Sequence, residues 1–423
     1  MKLSRKIGVR HLSRVEGHGN IDIDIKDGKL VSANWQVVEA PRFFEAMMRG
    51  KSWQAVPMLS GRICGICSIG HTLCSIRAVE RAFGFEPSAQ TMRLRLLLKH
   101  METLQSHVLH VCFLAAPDFL GEGSVLPLVE KSPVVVEIAL RLKQLANDAC
   151  DLVGGRRLHP TTIVPGGFTM LPDKRELESI RARLNDSLKD LESIAGLLSG
   201  FTIPAFTRET EFVSLKGEDS YPFIGGDLLS SDGVVKKEEQ YLEMTNEYKV
   251  EQSTSKWSRL SRESFAVGAL ARMNNNFDLL HPGAREVAHT LGLKPLCHNP
   301  FMNNVAQIVE CVHVALDSIR LIDEHLGAAG NSAREDIEPR EGSGIGAVEV
   351  PRGILYHSYS FGEDGRISDC NMVIPTSQNH ANIQHDLVAL VEKYAAEKGD
   401  SELELMASML VRAYDPCISC SVH

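Results

Sequence analysis

Two C-x-x-C pairs at opposite ends of a 423-residue chain are the strongest constraint on its fold: Cys64-Gly-Ile-Cys67 and Cys417-Ile-Ser-Cys420. About 350 residues separate the pairs, so one metal site built from all four thiolates has to bring the two ends of a large fold together. The six other cysteines stand singly in apolar, helix-like surroundings, and they are predicted to be buried core residues: Cys74, Cys112, Cys150, Cys297, Cys311 and Cys370.

The spacing of the two pairs leaves several chemistries open. Four thiolates suit a structural zinc site, a rubredoxin-like iron site or another metal, although the pairs of zinc and iron ribbons lie close together in sequence. A thioredoxin-type redox dithiol needs only one C-x-x-C pair, on a strand-to-helix turn. The residues that flank the cysteines are therefore needed to choose between them.

Composition excludes several classes of function. The chain carries 45 Lys and Arg against 54 Asp and Glu, and a net charge of −9 argues against nucleic acid as a partner. No apolar stretch approaches the roughly 18 residues that a membrane-spanning helix needs, and no apolar segment follows the basic amino terminus as it does in a signal peptide. We expect a cytoplasmic protein with no membrane segment.

Periodicity predicts strands at both ends and helices between them. Strict alternation over 20–26, the turn Asp27-Gly28 and the run 30–39 predict a hairpin. Helical patterns cover 43–50, 71–83, 87–114, 133–153, 172–198, 285–291, 303–326, 380–397 and 401–413. Residues 331–346 are interpreted as a charged, Gly-rich connection, and its G-x-G-x-G run has the wrong spacing for a dinucleotide loop. Strands are predicted again over 347–375.

These elements predict an α+β, mainly α, fold in which a central bundle of long helices lies between β-rich ends that meet at a buried metal site. We divide the chain into a β-rich segment with the first metal signature (1–86), a helical bundle (87–330) and a β/α segment with the second signature (331–423). The three segments are expected to form one integrated unit.

The flanking residues resemble the two metal signatures of the [NiFe]-hydrogenase large subunit. The first is Arg62-Ile-Cys64-Gly-Ile-Cys67-Ser-Ile-Gly-His71, and the second is Asp415-Pro-Cys417-Ile-Ser-Cys420-Ser-Val-His423. Other motifs of the family follow in the family's order: Arg14-Val-Glu16-Gly-His18, Phe44-Glu45, His110 with Asp118, Val350-Pro-Arg352-Gly and Ile374-Pro-Thr376. The resemblance extends over the whole chain.

The resemblance implies a nickel–iron centre. Cys64, Cys67, Cys417 and Cys420 would bind nickel, and Cys67 and Cys420 would also bridge to an iron that carries one carbon monoxide and two cyanides. No iron–sulfur cluster is expected in this chain, because the cysteines that match the family are all used at this centre. The resemblance also implies a hard cation, magnesium or iron, bound by Glu45 and His423.

The resemblance further implies roles for polar residues around the centre. Arg352 and Thr376 would hydrogen-bond the cyanides, and Arg352 would also lie over the open nickel–iron position, oriented by Asp118 and Asp415. Glu16 would take a proton from the side of Cys417. His71 and His110 would be outer donors to the cofactor. Each residue also has a plain structural interpretation: a loop ion pair for Arg352, a cap for Asp415, a solvated glutamate for Glu16, and buried core residues for the histidines.

The implied function is reversible, heterolytic cleavage of H2 to protons and electrons. The electrons would leave through a small iron–sulfur subunit to NAD(P) or another soluble acceptor, with further flavin and iron–sulfur diaphorase subunits. Alternatives are a viologen-reducing subunit that feeds heterodisulfide reductase and a slow H2 sensor. A non-catalytic relative, like the quinone-pocket subunit of respiratory complex I, would lack the four cysteines. The end at His423 is expected to be the product of a maturation endopeptidase.

Overall fold

The computed structural model of the chain describes residues 4–328 and 332–423. Its α-helices, in chain order, are α1 (Phe44–Met48), α2 (Val56–Ser60), α3 (Ser68–Phe83), α4 (Ala89–Val108), α5 (Ala116–Phe119), α6 (Leu126–Lys131), α7 (Pro133–Gly154), α8 (Lys174–Ser199), α9 (Tyr241–Thr245), α10 (Ala269–Asn276), α11 (Pro282–Thr290), α12 (Asn303–Gly327), α13 (Pro375–Tyr394), α14 (Asp400–Ala413) and α15 (Ile418–Ser421). A π-helical segment, Leu109–Ala115, joins α4 to α5.

The strands form three small sheets and one short hairpin. They are β1 (Ser4–Val9), β2 (Gly19–Lys26), β3 (Lys29–Val37), β4 (Ile163–Val164), β5 (Gly167–Phe168), β6 (Glu211–Leu215), β7 (Leu228–Ser230), β8 (Val235–Lys236), β9 (Phe265–Ala266), β10 (Gly342–Val350), β11 (Gly353–Phe361) and β12 (Ile367–Val373). The sheet orders are β1-β2-β3, β8-β7-β6-β9 and β10-β11-β12, while β4 pairs with β5. The neighbours are antiparallel except β6 and β9, which are parallel.

The long helices α4, α7, α8 and α12 pack against one another as the predicted bundle. Asp173 begins α8 by accepting hydrogen bonds from the backbone N–H groups of Arg175 and Glu176. Gly155, with φ of 73°, ends α7 in the left-handed conformation that glycine tolerates. Capping residues and apolar periodicity therefore set the limits of the bundle helices.

The amino-terminal sheet covers α13, the helix that carries Thr376. Alternation along β2 buries Ile21, Ile23 and Ile25, and β3 adds Trp35 to the same face. The indole Nε1–H of Trp35 donates to His380 Nδ1 on α13 at 3.0 Å. This contact ties the first sheet to the carboxyl-terminal third of the chain.

The carboxyl-terminal sheet packs on α3, and here one prediction is wrong. Residues 342–346, interpreted as part of a connection, form the first half of β10, which lies directly against α3. The absence of side chains permits this approach: a Cβ on Gly344 would lie 2.2 Å from the Ala78 carbonyl oxygen, and one on Gly346 would lie 2.2 Å from that of Cys74. The glycines therefore provide close packing between a strand and a helix.

Other differences concern boundaries and surroundings. The predicted helix over 87–114 changes to π-helix at Leu109. Helix α13 begins at Pro375, five residues before its predicted start. Cys370 lies in a strand and Cys297 in a half-buried loop, not in helices. The predicted segment boundary at 330–331 lies outside the described residues. Among the residues that the structure describes, no helix is long and apolar enough to span a membrane.

Candidate metal centre

The two C-x-x-C pairs meet in a buried cluster of four thiols, each at most 5% exposed. Cys64 follows a short 3-10 turn and Cys67 precedes the first residue of α3, while Cys417 and Cys420 belong to the terminal turn around α15. The sulfur atoms all lie within 4.8 Å of one another. The Sγ–Sγ distance is 3.5 Å for Cys64 and Cys417 and 4.0 Å for Cys67 and Cys420.

This geometry fits a single metal ion. Four thiolates at the usual metal–sulfur distance of about 2.3 Å stand about 3.8 Å apart in a tetrahedron, close to the observed separations. Hydrogen bonding from Cys417 and the other thiols holds the pKa of Cys64 well below its usual range, whereas burial raises the pKa of Cys417 and of Cys420. A bound cation would replace the protons that the buried thiols of Cys417 and Cys420 otherwise retain.

Glu16 lies beside this cluster in a loop before β2. Its Oε2 accepts a hydrogen bond from Cys417 Sγ at 3.1 Å and another from the Ser419 backbone N–H at 3.1 Å, and Ser419 Oγ donates to its Oε1. Its backbone carbonyl accepts from the Ile418 N–H at 2.9 Å. The glutamate is therefore fixed by both its main chain and its side chain against the second cysteine pair.

Arg352 and Thr376 also reach the cluster. Arg352 lies in the turn between β10 and β11 and is 4% exposed; its guanidinium binds Asp415 in the turn that leads to Cys417. Thr376, in the first turn of α13, accepts the Cys417 backbone N–H at 3.0 Å through its hydroxyl. Three separate parts of the fold thus place polar groups around the cysteines.

Asp118 has partners other than the expected Arg352. Its carboxylate accepts hydrogen bonds from Arg412 Nε at 2.7 Å and Nη2 at 2.9 Å, and from Arg14 Nη2. Asp415 alone of the two expected acids contacts Arg352. The prediction failed because Arg14 and Arg412, both distant from Asp118 in sequence, compete for this carboxylate.

Glu45 and His423, the predicted ligands of a second cation, lie close to each other. His423 Nε2 lies 3.6 Å from Glu45 Oε1 and 2.8 Å from the Met372 carbonyl oxygen. Glu45 also accepts the Met372 backbone N–H at 2.7 Å. Glu45 and His423 line one cavity together with Lys256, and a carboxylate and an imidazole are ligands that a hard cation accepts beside water.

The two predicted outer histidines are both buried. His71 Nδ1 lies 3.2 Å from His357 Nε2, and burial lowers the pKa of His71 to about 4. His110 has Nδ1 2.5 Å from Gln307 Oε1 and Nε2 2.8 Å from the Arg412 carbonyl oxygen. Gln307 in turn donates to Asp415 Oδ2 at 3.1 Å, so His110 reaches the Arg352 pair through one intermediate side chain.

Sequence reasoning missed Arg272, a fully buried arginine of α10. It donates to the backbone carbonyls of Val350 and Pro351, both at 3.1 Å, and its charge is balanced by Glu310 and Glu349. Arg272 therefore fixes the turn from which Arg352 extends. An arginine in an apolar helix was the available signal, but its two acidic partners lie on other elements.

Comparison with known proteins agrees with this geometry. Residues 42–132 and 230–423 match the family described as nickel-dependent hydrogenase, and residues 6–40 match a HoxL-like family. Sulfhydrogenase 1 subunit alpha of Pyrococcus furiosus is 35% identical, over 99% of this chain and 97% of its own length. The beta subunit of the NAD-reducing hydrogenase HoxS of Cupriavidus necator is 28% identical, over 100% and 95%.

Solved structures give the same result. A crystal structure of an NAD+-reducing [NiFe]-hydrogenase in the H2-reduced state superposes with a TM-score of 0.88, at 26% identity and 99% coverage of both chains. A [NiFeSe]-hydrogenase of Desulfomicrobium baculatum, at 22% identity, has the same fold with a TM-score of 0.79. The four clustered cysteines, the matching family profile and the full-length relatives place the chain in the nickel-dependent hydrogenase family, as a [NiFe]-hydrogenase large subunit.

Proposed function

We propose that Glu16 is the residue that removes the proton when this hydrogenase subunit cleaves H2, and that it takes the proton from Cys417. The observation that carries the proposal is the 3.1 Å contact between Glu16 Oε2 and Cys417 Sγ, since a general base must lie within hydrogen-bond reach of the proton it accepts. The nickel–iron pair, when bound, supplies the redox-active centre at which hydrogen is split.

The surroundings of Glu16 support a relay. Ser419 contacts the carboxylate through both its backbone N–H and its hydroxyl, and these donors orient Oε2 toward the sulfur. Glu16 itself is only half-buried, so it connects a buried thiol to the outer part of the chain. A purely structural glutamate would not need a carboxylate oxygen turned toward a metal ligand.

The test is Glu16→Gln in the purified hydrogenase, measured by nickel content and by hydrogen/deuterium exchange with D2. The amide keeps the size and one accepting oxygen but cannot accept the proton, so we expect full nickel content with exchange lowered by at least about 100-fold. Glu39→Gln, which removes a nearby carboxylate that binds His18, should leave exchange unchanged. Full exchange in Glu16→Gln would eliminate the proposal.

We also propose that the centre contains nickel and an iron with one carbon monoxide and two cyanides. Cys64, Cys67, Cys417 and Cys420 would hold nickel, and Cys67 and Cys420 would bridge to iron. Arg352 supports this proposal, because its Nη1 is buried without a hydrogen-bond partner among the described residues. A buried donor of this kind suits an anionic diatomic ligand. Thr376 would supply a second donor, and infrared bands of metal-bound carbon monoxide and cyanide test the assignment.

For the second site we propose magnesium, with iron as the alternative, held by Glu45 and His423. The 3.6 Å approach of the two side chains supports it. Elemental analysis of the purified enzyme distinguishes the two metals, and Glu45→Gln should lower the content of that metal while nickel stays unchanged. Loss of neither metal would contradict the assignment.

We propose NAD(P) as the final electron acceptor, reached through an iron–sulfur subunit and flavin-containing subunits in the cytoplasm. The sulfhydrogenase and NAD-reducing relatives support this choice. The alternative is an electron path to heterodisulfide reductase, favoured by the F420-non-reducing hydrogenase subunit of Methanococcus voltae at 27% identity. The subunits that copurify, and the acceptor reduced under H2, separate these alternatives from each other and from a slow H2 sensor.

A further inference from the structure

Asp118 lies where three distant parts of the chain meet. It belongs to α5, next to the π-helical segment, and its side chain is 2% exposed. Arg14 reaches it from the amino-terminal loop, and Arg412 reaches it from the last turn of α14. The two guanidiniums share Asp118 Oδ1, so one carboxylate holds a buried cation and a partly buried cation together.

The same two arginines also donate hydrogen bonds to backbone carbonyl oxygens, one in the amino-terminal loop and one in the π-helical segment before Asp118. Arg412 Nη1 donates to the Ser13 carbonyl oxygen at 3.1 Å, and Arg14 Nη1 donates to the Leu114 carbonyl oxygen at 2.6 Å. Ser13 and Arg14 immediately precede the segment that contains Glu16. Arg412 immediately precedes the turn that contains Cys417. The ion cluster thus joins the backbone that carries the base to the backbone that carries the thiol.

The loop that precedes Glu16 has a strained backbone. Arg14 has φ of 61°, in the left-handed region that residues other than glycine adopt only with strain. The loop contacts the thiol turn through the parallel bridge of Glu16 with Cys417 and through the hydrogen bonds of Glu16 to Cys417, Ile418 and Ser419. All of these contacts are made by Glu16 itself, and the Asp118 ion cluster anchors the strained backbone that precedes it.

We propose that Asp118, through Arg14 and Arg412, is the positioning residue that keeps the Glu16 carboxylate within hydrogen-bond distance of Cys417. The inference rests on the proposed role of Glu16. Removing the charge of Asp118 leaves two guanidiniums facing each other, and breaking a buried ion pair in this way is strongly destabilising locally. The loop that contains Glu16 then moves away from the thiol turn.

The experiment compares Asp118→Asn with wild-type hydrogenase complex in two measurements. The first is amide hydrogen exchange of the peptide that contains Ile418, whose N–H donates to the Glu16 carbonyl oxygen. The second is D2 exchange per bound nickel. We expect at least a tenfold loss of protection at Ile418 and at least a tenfold loss of D2 exchange, and we expect Asp118→Glu to recover part of both.

The matched control is Glu80→Gln. Glu80 is also buried and binds the guanidinium of Arg95 at 2.8 and 2.6 Å, but it lies in the helical part of the fold. Glu80→Gln should leave the Ile418 amide protected. If Asp118→Asn does not load nickel, Arg14→Gln replaces it, because that variant keeps the Asp118–Arg412 pair and removes the Arg14 contacts to Asp118 and Leu114.

Wild-type protection of Ile418 in both Asp118→Asn and Arg14→Gln would overturn the inference. Equal loss of D2 exchange in Glu80→Gln and Asp118→Asn, with Ile418 still protected, would also overturn it. Failure of the proposed function has a different signature: Glu16→Gln would then exchange D2 normally, whereas protection at Ile418 does not depend on whether Glu16 accepts a proton.

Discussion

Arg352 binds both the backbone and the side chain of Asp415. Its Nε donates to the Asp415 carbonyl oxygen at 2.6 Å, and its Nη2 donates to the carboxylate at 2.9 Å. Two of its three nitrogens are thus used to hold the turn before Cys417. Asp415 has φ of 49°, so this turn is strained and benefits from these two hydrogen bonds. The third nitrogen, Nη1, is left buried and free to bind a group at the metal centre.

We therefore expect Arg352→Lys to retain the positive charge but lose function. An ammonium group cannot reproduce the planar fork that contacts Asp415 and the centre together. Turnover should fall by at least about 100-fold, the size of effect found when one preorganised donor is removed from an active site. Nickel content and the infrared bands are measured in parallel. Wild-type turnover in Arg352→Lys would contradict the role of the free nitrogen.

Substitution of a cysteine should lower the nickel content only when that cysteine belongs to the four-thiol cluster. Cys64→Ser replaces a thiolate in the buried cluster and should remove nickel, because a serine hydroxyl is a poor ligand for a soft metal. Cys297→Ser changes a half-buried loop cysteine outside the cluster and should leave nickel unchanged. Elemental analysis of both purified variants checks the prediction. Full nickel occupancy in Cys64→Ser would show that this thiol is not a ligand.

Two glycine-to-alanine substitutions, one in β10 and one in α8 as a control, test the packing of β10 on α3. An alanine methyl at Gly344 would overlap the Ala78 carbonyl oxygen and the Ala82 backbone nitrogen, so Gly344→Ala should lower the free energy of unfolding by roughly 3 kcal/mol. Gly196→Ala lies in α8 with open space around it and should raise stability by up to about 1 kcal/mol. Thermal unfolding of the two variants is expected to shift in opposite directions.

Acid should weaken the fold through buried histidines such as His313. Burial lowers the pKa of His313 to about 4, and its Nδ1 already accepts the His281 backbone N–H at 3.0 Å. Between pH 6.5 and 4 the unfolded state therefore binds more protons than the folded state, and stability falls as the pH falls, by up to about 1.4 kcal/mol per pH unit for each such histidine. Above pH 6.5 this contribution is fully present.

His313→Gln removes the proton site and keeps an acceptor for the His281 N–H. The dependence of the unfolding free energy on pH should become shallower between pH 6.5 and 4, measured by denaturant titration at each pH. Exposed His11 supplies the control, since His11→Gln should leave the slope unchanged. An unchanged slope in His313→Gln would refute the assignment.

Local patterns predicted much of the fold. The alternation in β2 and the turn at Asp27-Gly28 gave the first hairpin correctly, and apolar periodicity with Asp173 as a cap located α8. The two C-x-x-C pairs predicted the position of the metal centre, because four thiolates placed together are soft ligands that seldom serve any purpose other than binding a metal. The glycines of 342–346 were misinterpreted, since close packing of a strand on a helix depends on a partner far away in sequence.

Contacts between distant charged residues were the least predictable part of the site. Asp118 could bind any nearby arginine, and the choice between Arg352 and the pair Arg14 and Arg412 is made by the packing of α5 beside α14. Arg272 was missed for the same reason, because its acidic partners come from α12 and β10. Side-chain pairing across elements is a property of the assembled fold, not of any local pattern.

The meeting of Cys64 and Cys67 with Cys417 and Cys420 sets an order of events during synthesis. A chain that emerges from the ribosome exposes its first two thiols early, and it must then carry them unpartnered while about 350 further residues are made. Cys417 and Cys420 follow in a turn that the Arg352 guanidinium holds through Asp415. The four-thiol cluster can therefore assemble only after the residues up to Cys420 have been translated and folded.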